Sequence, residues 1–246
     1  MKTPIVEIMS SIQGEGLVVG YRQVFIRFPG CNIACQYCDT KHQLTDNQPC
    51  HVEVTPGHND VQLVENPLSV EAIVGIISKY PLQRHHSISL TGGEPLLHVE
   101  FLKELIPAVS GFGPQIYLET NGTLPQALAE IIDLVDIIAM DIKLPSVSGC
   151  TGLWQQHAEF LRIANSKQVY VKAVIGKATS RAEIQQLCSI LAQVDKNILL
   201  VLQPVTPTNN VETVSAEALM DMLDFALQFL PEVRIIPQTH RMIGVL

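Results

Sequence analysis

Seven short runs of β-branched or apolar residues recur along this chain, and their spacing constrains the fold more than any other feature. They are QVFIRF (23–28), SISLT (87–91), QIYLET (115–120), DIIAMDI (136–142), VYVKAVI (169–175), ILLVLQP (198–204) and VRIIPQ (233–238). Stretches of helical period separate most of them. In 69–80, Val70, Ile73, Ile76, Ile77 and Tyr80 fall on one face. In 179–191, Ser180 and Glu183 form a capping box, and Ile184, Leu187, Cys188 and Leu191 follow at i, i+3, i+4, i+7. The segment 214–230 repeats the pattern with Leu219, Met222, Leu223 and Ala226. Nearly all-apolar strands alternating with helices require a parallel sheet covered by those helices. Six or seven such units imply an α/β fold, an incomplete (β/α) barrel with a mostly parallel sheet. In such folds the site lies at the C-terminal ends of the strands. The distinctive motifs fall there: a cysteine loop after 23–28, TGGEP (91–95), ETNG (119–122), DIKLPS (141–146) and QPVT (203–206).

The 246 residues are 47% apolar, enough for one large core, and we read 1–246 as a single domain. The exception is a polar, turn-rich stretch at about 41–68, longer than an ordinary loop, which reads as an insertion or lid. Cys50, His51 and His58 within it read as solvated loop residues in preference to metal ligands. Cys188 sits on an apolar helix face and reads as core. A net charge of −8 argues against a nucleic-acid partner. No run approaches the roughly 18 apolar residues of a membrane span, and the first residues lack a signal-peptide pattern. The expected location is the cytoplasm, with no membrane partner.

Cys31, Cys35 and Cys38 are the anomaly, three thiols spaced C-x-x-x-C-x-x-C. A disulfide takes two and a structural zinc takes four. A four-iron cluster held by three thiolates keeps one iron open to a further ligand. The alternative is zinc with a distant fourth ligand such as His98. With Tyr37 before the last cysteine, the motif resembles the signature of radical S-adenosylmethionine (SAM) enzymes, and TGGEP resembles their second motif. The residues PIVEIMSSIQGEGLVVGYRQVFIRFPGCN (4–32), CDT (38–40), LETNGT (118–123), QPVT and QTHRMIGVL (238–246) narrow the resemblance to the 7-carboxy-7-deazaguanine synthase family, over the whole chain.

That resemblance implies a radical SAM type of incomplete barrel. It implies a lyase that uses a 4Fe–4S cluster, SAM and Mg2+ to contract the ring of 6-carboxy-5,6,7,8-tetrahydropterin, with loss of ammonia, toward queuosine and related 7-deazapurines. It further implies a homodimer and an electron donor such as flavodoxin or ferredoxin. By the same carry-over, Cys31, Cys35 and Cys38 hold the cluster, and Cys50, Cys150 and Cys188 are dispensable for it. Tyr37, Cys38, Asp39 and Gly93 line SAM, with Asp141, Ile142 and Lys143, while Gln203, Pro204, Val205 and Thr206 close over its other end. The DIK triplet departs from the Ser-Pro-Lys of some members and is similar to one in glycyl-radical activating enzymes. Thr40 corresponds to the magnesium ligand. Ile12, Gln13, Gly14, Arg27, Thr91, Asn121 and the carboxylate of Leu246 meet the substrate. Arg27, at a strand end, suits a bidentate grip on a carboxylate. Gly14 and Gly16 allow close approach or positive φ. Glu119 and His240 are the catalytic candidates, with Glu119 acting as a proton acceptor or through hydrogen bonds alone.

Overall fold

A computed structural model of the chain describes residues 1–38, 48–58, 60–207 and 211–245. The first strands are β1 (Lys2–Thr3), β2 (Glu7–Ile12) and β3 (Arg22–Phe28). A hairpin of β4 (Cys50–Glu53) and β5 (Val61–Val64) follows, then β6 (Leu68–Ser69), which pairs with β1. Strands then alternate with helices: α1 (Val70–Ile77), β7 (Ser87–Gly92), α2 (Val99–Ser110), β8 (Gln115–Thr120), α3 (Pro125–Ile131) and β9 (Ile137–Asp141). The second half continues with α4 (Pro145–Ser148), α5 (Trp154–Ala164), β10 (Gln168–Ile175), α6 (Arg181–Val194), β11 (Leu200–Pro204), α7 (Ala216–Ala226), β12 (Val233–Ile235) and α8 (His240–Ile243).

All seven expected strands are present as β3 and β7 to β12. They lie parallel and side by side in chain order, as short right-handed crossovers require. Among the described residues the sheet has ten strands, because β2 pairs antiparallel with β3 and the β4–β5 hairpin extends it beyond β2. It is open: β5 and β12 are its two ends. The capping box of α6 is formed, with each of Ser180 and Glu183 accepting the other's backbone N–H. Among the described residues no helix is long and apolar enough to cross a membrane.

The period of two along each strand sorts the residues between faces. Val24, Ile26, Leu90, Leu118, Ile138, Val171 and Leu202 join the main core with Ile73, Leu105, Phe160 and Leu187 of the helices. The opposite face carries a smaller apolar cluster that includes Val18, Tyr117, Ile137, Tyr170 and Val201. Two residues further along several of those strands, at the same parity, stand Glu119, Lys172 and Gln203. The apolar cluster is therefore the floor beneath a polar site.

The 41–68 stretch is not all surface loop. Cys50 and Val52 alternate inward from β4 and are buried, while His51 and His58 are exposed. The reading of Cys50 as a solvated residue is corrected: it belongs to the main core, and burial pushes its thiol up to about 12.

Candidate active site

A cavity of 260 Å³ opens at the C-terminal ends of the parallel strands. β3 contributes Arg27 to its wall, β7 Thr91, β8 Glu119, β9 Asp141, β10 Lys172 and β11 Gln203. Each is an inward-facing residue near the end of its strand. The loop after β3 brings Cys31, Cys35 and Cys38 to the same cavity.

Among the described residues no three His, Cys, Asp or Glu side chains converge on a point that could hold one metal ion. His98 uses both ring nitrogens elsewhere, 2.9 Å from the Thr3 hydroxyl and 3.0 Å from the Pro29 carbonyl. His98 is therefore not free to serve as the fourth ligand of a zinc site. A four-iron cube takes each thiolate at a separate corner, so three thiols that line one cavity without meeting at a point fit the cube. Burial pushes the Cys35 thiol up to about 12, and coordination by a metal deprotonates such a thiol outright.

The cofactor end of the cavity has acceptors in need of donors. Asp141 Oδ1 and Gln203 Oε1 are buried, belong to residues that line the cavity and have no hydrogen-bond partner among the described residues. Buried orphans of this kind are rare in folded proteins, and the hydroxyl and amino groups of SAM are suitable donors. Gly93 meets the cysteine loop so closely that a Cβ would sit 1.7 Å from the Gly30 carbonyl oxygen. Next to it, Glu94 accepts bonds from the Thr120 hydroxyl and from the Leu96 and Asn121 N–H groups. Burial pushes its carboxyl up to about 7.

A string of alternating charges crosses the wall. Lys143 Nζ lies 2.9 Å from Asp141 and donates to the Tyr37 hydroxyl at 3.2 Å. Lys172 Nζ lies 3.2 Å from Asp141 and also pairs with Glu15. Burial alone would raise the Glu15 carboxyl, but the Lys172 ammonium outweighs it and holds Glu15 down to about 2. Burial likewise works against the charge on Lys143, and Asp141 overcomes it, keeping the ammonium well above the usual lysine range.

The opposite end is built from SIQGEG and QTH. Gln13 donates to Glu119 Oε1 at 2.6 Å, and the Thr91 hydroxyl donates to Glu119 Oε2 at 2.5 Å. The Thr239 N–H donates to the Gly14 carbonyl at 2.9 Å, and Gln238 donates to Glu15 at 2.7 Å. A Cβ on Gly14 would lie 2.1 Å from His240 Nδ1, so only glycine lets the two segments meet. Arg27 lines the cavity with its Nε held 2.6 Å from Glu7.

Ile12, Tyr37, Val205 and Thr206 also line the cavity. The structure does not bring Ile142 or Pro204 to its wall. The Ile142 side chain alternates outward into the main core, and Pro204 ends β11 opposite Ile175. Asn121 lines the cavity, but its amide donates to Cys31 Sγ at 3.7 Å and to Asn32 Oδ1 at 2.9 Å, supporting the cysteine loop. Asp39, Thr40 and Leu246 lie outside the described residues. The residues that sequence reasoning passed over are Glu15, Lys172 and Gln238. Lys172 carried a signal: it is a lone charge at inward parity in an otherwise apolar strand.

The family model of the radical SAM superfamily matches residues 25–214. A protein of Geobacter sulfurreducens named 7-carboxy-7-deazaguanine synthase is 45% identical over 98% of this chain and 96% of its own length. The chain belongs to the 7-carboxy-7-deazaguanine synthase family. The synthase of Methanothermobacter thermautotrophicus is 35% identical over 100% of this chain and 98% of its own length. Among solved structures, QueE from Escherichia coli superposes with a TM-score of 0.64 at 24% identity, covering 98% of this chain and 95% of that one. Streptococcus suis SuiB bound to S-adenosylmethionine superposes with a TM-score of 0.56 at 14% identity, covering 87% of this chain and 51% of that one. These two likenesses establish the fold. As a radical SAM family member, the chain is an enzyme that works with a 4Fe–4S cluster and SAM on a small molecule.

Proposed function

We propose that this enzyme converts 6-carboxy-5,6,7,8-tetrahydropterin to 7-carboxy-7-deazaguanine with loss of ammonia, in 7-deazapurine biosynthesis. The observation that carries the reading is the joining of two sets of groups in one cavity. The same lining holds the three cysteines and the Gln13–Glu119–Thr91 and Glu15–Gln238 groups. The cluster and SAM supply the hydrogen abstraction. The chain's own residues bind, orient and keep water away. Arg27 suits the substrate carboxylate through a charge-assisted contact. Glu119, held by Gln13 and Thr91, offers an acceptor to a substrate N–H and a place for a proton. His240 closes the mouth against Gly14.

Tyr37, Cys38, Gly93, Asp141, Lys143, Gln203, Val205 and Thr206 are assigned to SAM, and Ile12, Gln13, Gly14 and Thr91 to the pterin. The family resemblance adds Asp39 for SAM, Leu246 for the substrate and Thr40 for Mg2+. Magnesium retains waters and takes further oxygens from the substrate, so one hydroxyl suffices from the chain. We also assign a single domain over 1–246, a homodimer, a flavodoxin or ferredoxin as electron donor, and the reducing cytoplasm, where an oxygen-labile cluster persists.

The test is anaerobic turnover of the carboxypterin with SAM and dithionite, with and without magnesium. The expected product is 7-carboxy-7-deazaguanine, at a rate that rises with magnesium. SAM cleavage that no carboxypterin stimulates, with no deazaguanine formed, would overturn the reading.

A further inference from the structure

Cys150 stands 115 residues from Cys35 in sequence, and the two sulfurs are 4.0 Å apart. The approach is built by the backbone. α4 ends at Ser148, whose carbonyl accepts the Gln36 N–H at 2.9 Å, one residue beyond Cys35. Gly149 follows at φ 75, and the Gln36 side chain packs over it so closely that a Cβ there would lie 2.8 Å from Gln36 Nε2. The Cys150 N–H then donates to Ser148 Oγ at 3.1 Å, which turns the thiol toward the cysteine loop. Besides Cys35, that thiol has the Ser148 carbonyl in reach at 3.9 Å.

We propose that Cys150 donates an S–H hydrogen bond to the Cys35 thiolate and so raises the reduction potential of the cluster. This rests on the reading that Cys31, Cys35 and Cys38 hold four irons. A cysteine bound to iron has no proton, so in the loaded enzyme Cys35 can only accept and Cys150 can only donate. A thiolate is a charged acceptor and holds the proton more strongly than the neutral Ser148 carbonyl does. Hydrogen bonds to cluster sulfurs are one of the factors that set the potential. A donor here draws electron density from the sulfur and favours the form that carries one more electron. The cluster takes that single electron from the external reductant, and Cys150 keeps its proton throughout. A second cluster ligand is supported in the same way, with the Asn121 amide 3.7 Å from Cys31 Sγ. The loop after β8 and the turn after α4 thus each send one donor to a cluster sulfur. Cys150 is a positioning residue, dispensable for holding iron but not for the potential.

The test uses the full chain, reconstituted anaerobically without SAM. Iron analysis is followed by a dithionite-driven potential series monitored by electron paramagnetic resonance. For Cys150→Ala the expected result is an unchanged iron content. At the wild-type midpoint, the ratio of reduced to oxidised cluster should fall about tenfold, a shift of about 59 mV to lower potential. Cys150→Ser retains a donor and should recover most of the shift. Cys150→Val, which fills the space without a donor, repeats the test if the alanine variant loads poorly. A fully loaded alanine or valine variant with the wild-type midpoint would overturn the proposal, as would a serine variant that falls as far as alanine. A wild-type chain that takes up no four-iron cluster would overturn the cluster reading and this inference together, and the iron analysis alone separates that case.

Discussion

Lys172 stands between two carboxylates, Glu15 and Asp141, in a wall from which water is largely excluded. Removing one partner of a buried charge group leaves the others uncompensated, which typically costs about 3–5 kcal/mol. Lys172→Met should therefore lower the stability measured by urea unfolding by roughly that amount. Lys172→Arg, which keeps the charge, should recover much of it. The cysteines make a different prediction, because their effect is read in iron. Cys31→Ala, Cys35→Ala and Cys38→Ala should each lose most of the about four irons bound after anaerobic reconstitution and abolish SAM cleavage. Cys188→Ala should change neither, since Cys188 is buried in the helix layer. Full SAM cleavage in any of the first three variants would refute the assignment.

His157 ties three elements together. It projects from α5, and its Nδ1 lies 3.1 Å from the Gly122 carbonyl beyond β8. Its Nε2 accepts the Lys143 N–H at 3.3 Å beyond β9. One nitrogen donates and one accepts, so the ring is neutral, and burial holds its pKa down to about 4 from 6.5. Between these values the unfolded chain binds the proton and the folded chain does not. Stability is thus fully present above 6.5 and is lost on acidification toward 4, by on the order of 3 kcal/mol. Glu94 acts in the opposite sense, since its raised carboxyl favours the folded state as pH falls from about 7. Comparison with His157→Asn removes the Glu94 contribution. The stability gap between wild type and variant should narrow as pH falls from 6.5 to 4, and a constant gap in pH-resolved urea unfolding would contradict the burial argument. At the loop before β3, Gly16 has φ 66, and a Cβ there would lie 1.9 Å from the Tyr170 hydroxyl. Gly16→Ala should cost at least about 2 kcal/mol, from left-handed strain and the clash together. Adding Tyr170→Phe should relieve only the hydroxyl's part of the clash, because the ring carbons Cε2 and Cζ still lie 2.5 Å from the added Cβ, and a double-mutant cycle would show this as incomplete recovery.

Across the whole molecule, the site depends on segments more than two hundred residues apart. The Thr239 and Gln238 bonds to Gly14 and Glu15 span 225 and 223 residues, and they place His240 beside Gly14 at the mouth of the cavity. Little of the main core lies in this junction. His240→Ala should therefore raise the Michaelis constant for the carboxypterin by tenfold or more while leaving the melting temperature and iron content near wild type. A variant with an unchanged Michaelis constant would remove His240 from the substrate site.

The local pattern of residues determined which segments became β3 and β7 to β12, because nearly continuous apolar runs can be buried only in a parallel sheet covered by helices. It also settled their order, since short crossovers seat each strand beside the last, and it placed the cysteine loop and TGGEP at the same end of that sheet. Alternation even put Glu119 and Lys172 on the inner face. β2, β4 and β5 were less legible: their few inward residues, such as Ile8, Cys50 and Val52, are interleaved with polar ones and form strands only once β3 offers an edge to pair with. The pairing of Lys172 with both Glu15 and Asp141, the seating of Gln238 on Glu15 and the approach of Cys150 to Cys35 were decided by the tertiary structure alone. Each joins residues distant in the chain, and periodicity fixes which face a side chain takes but not which partner the twist of the sheet brings within reach of it.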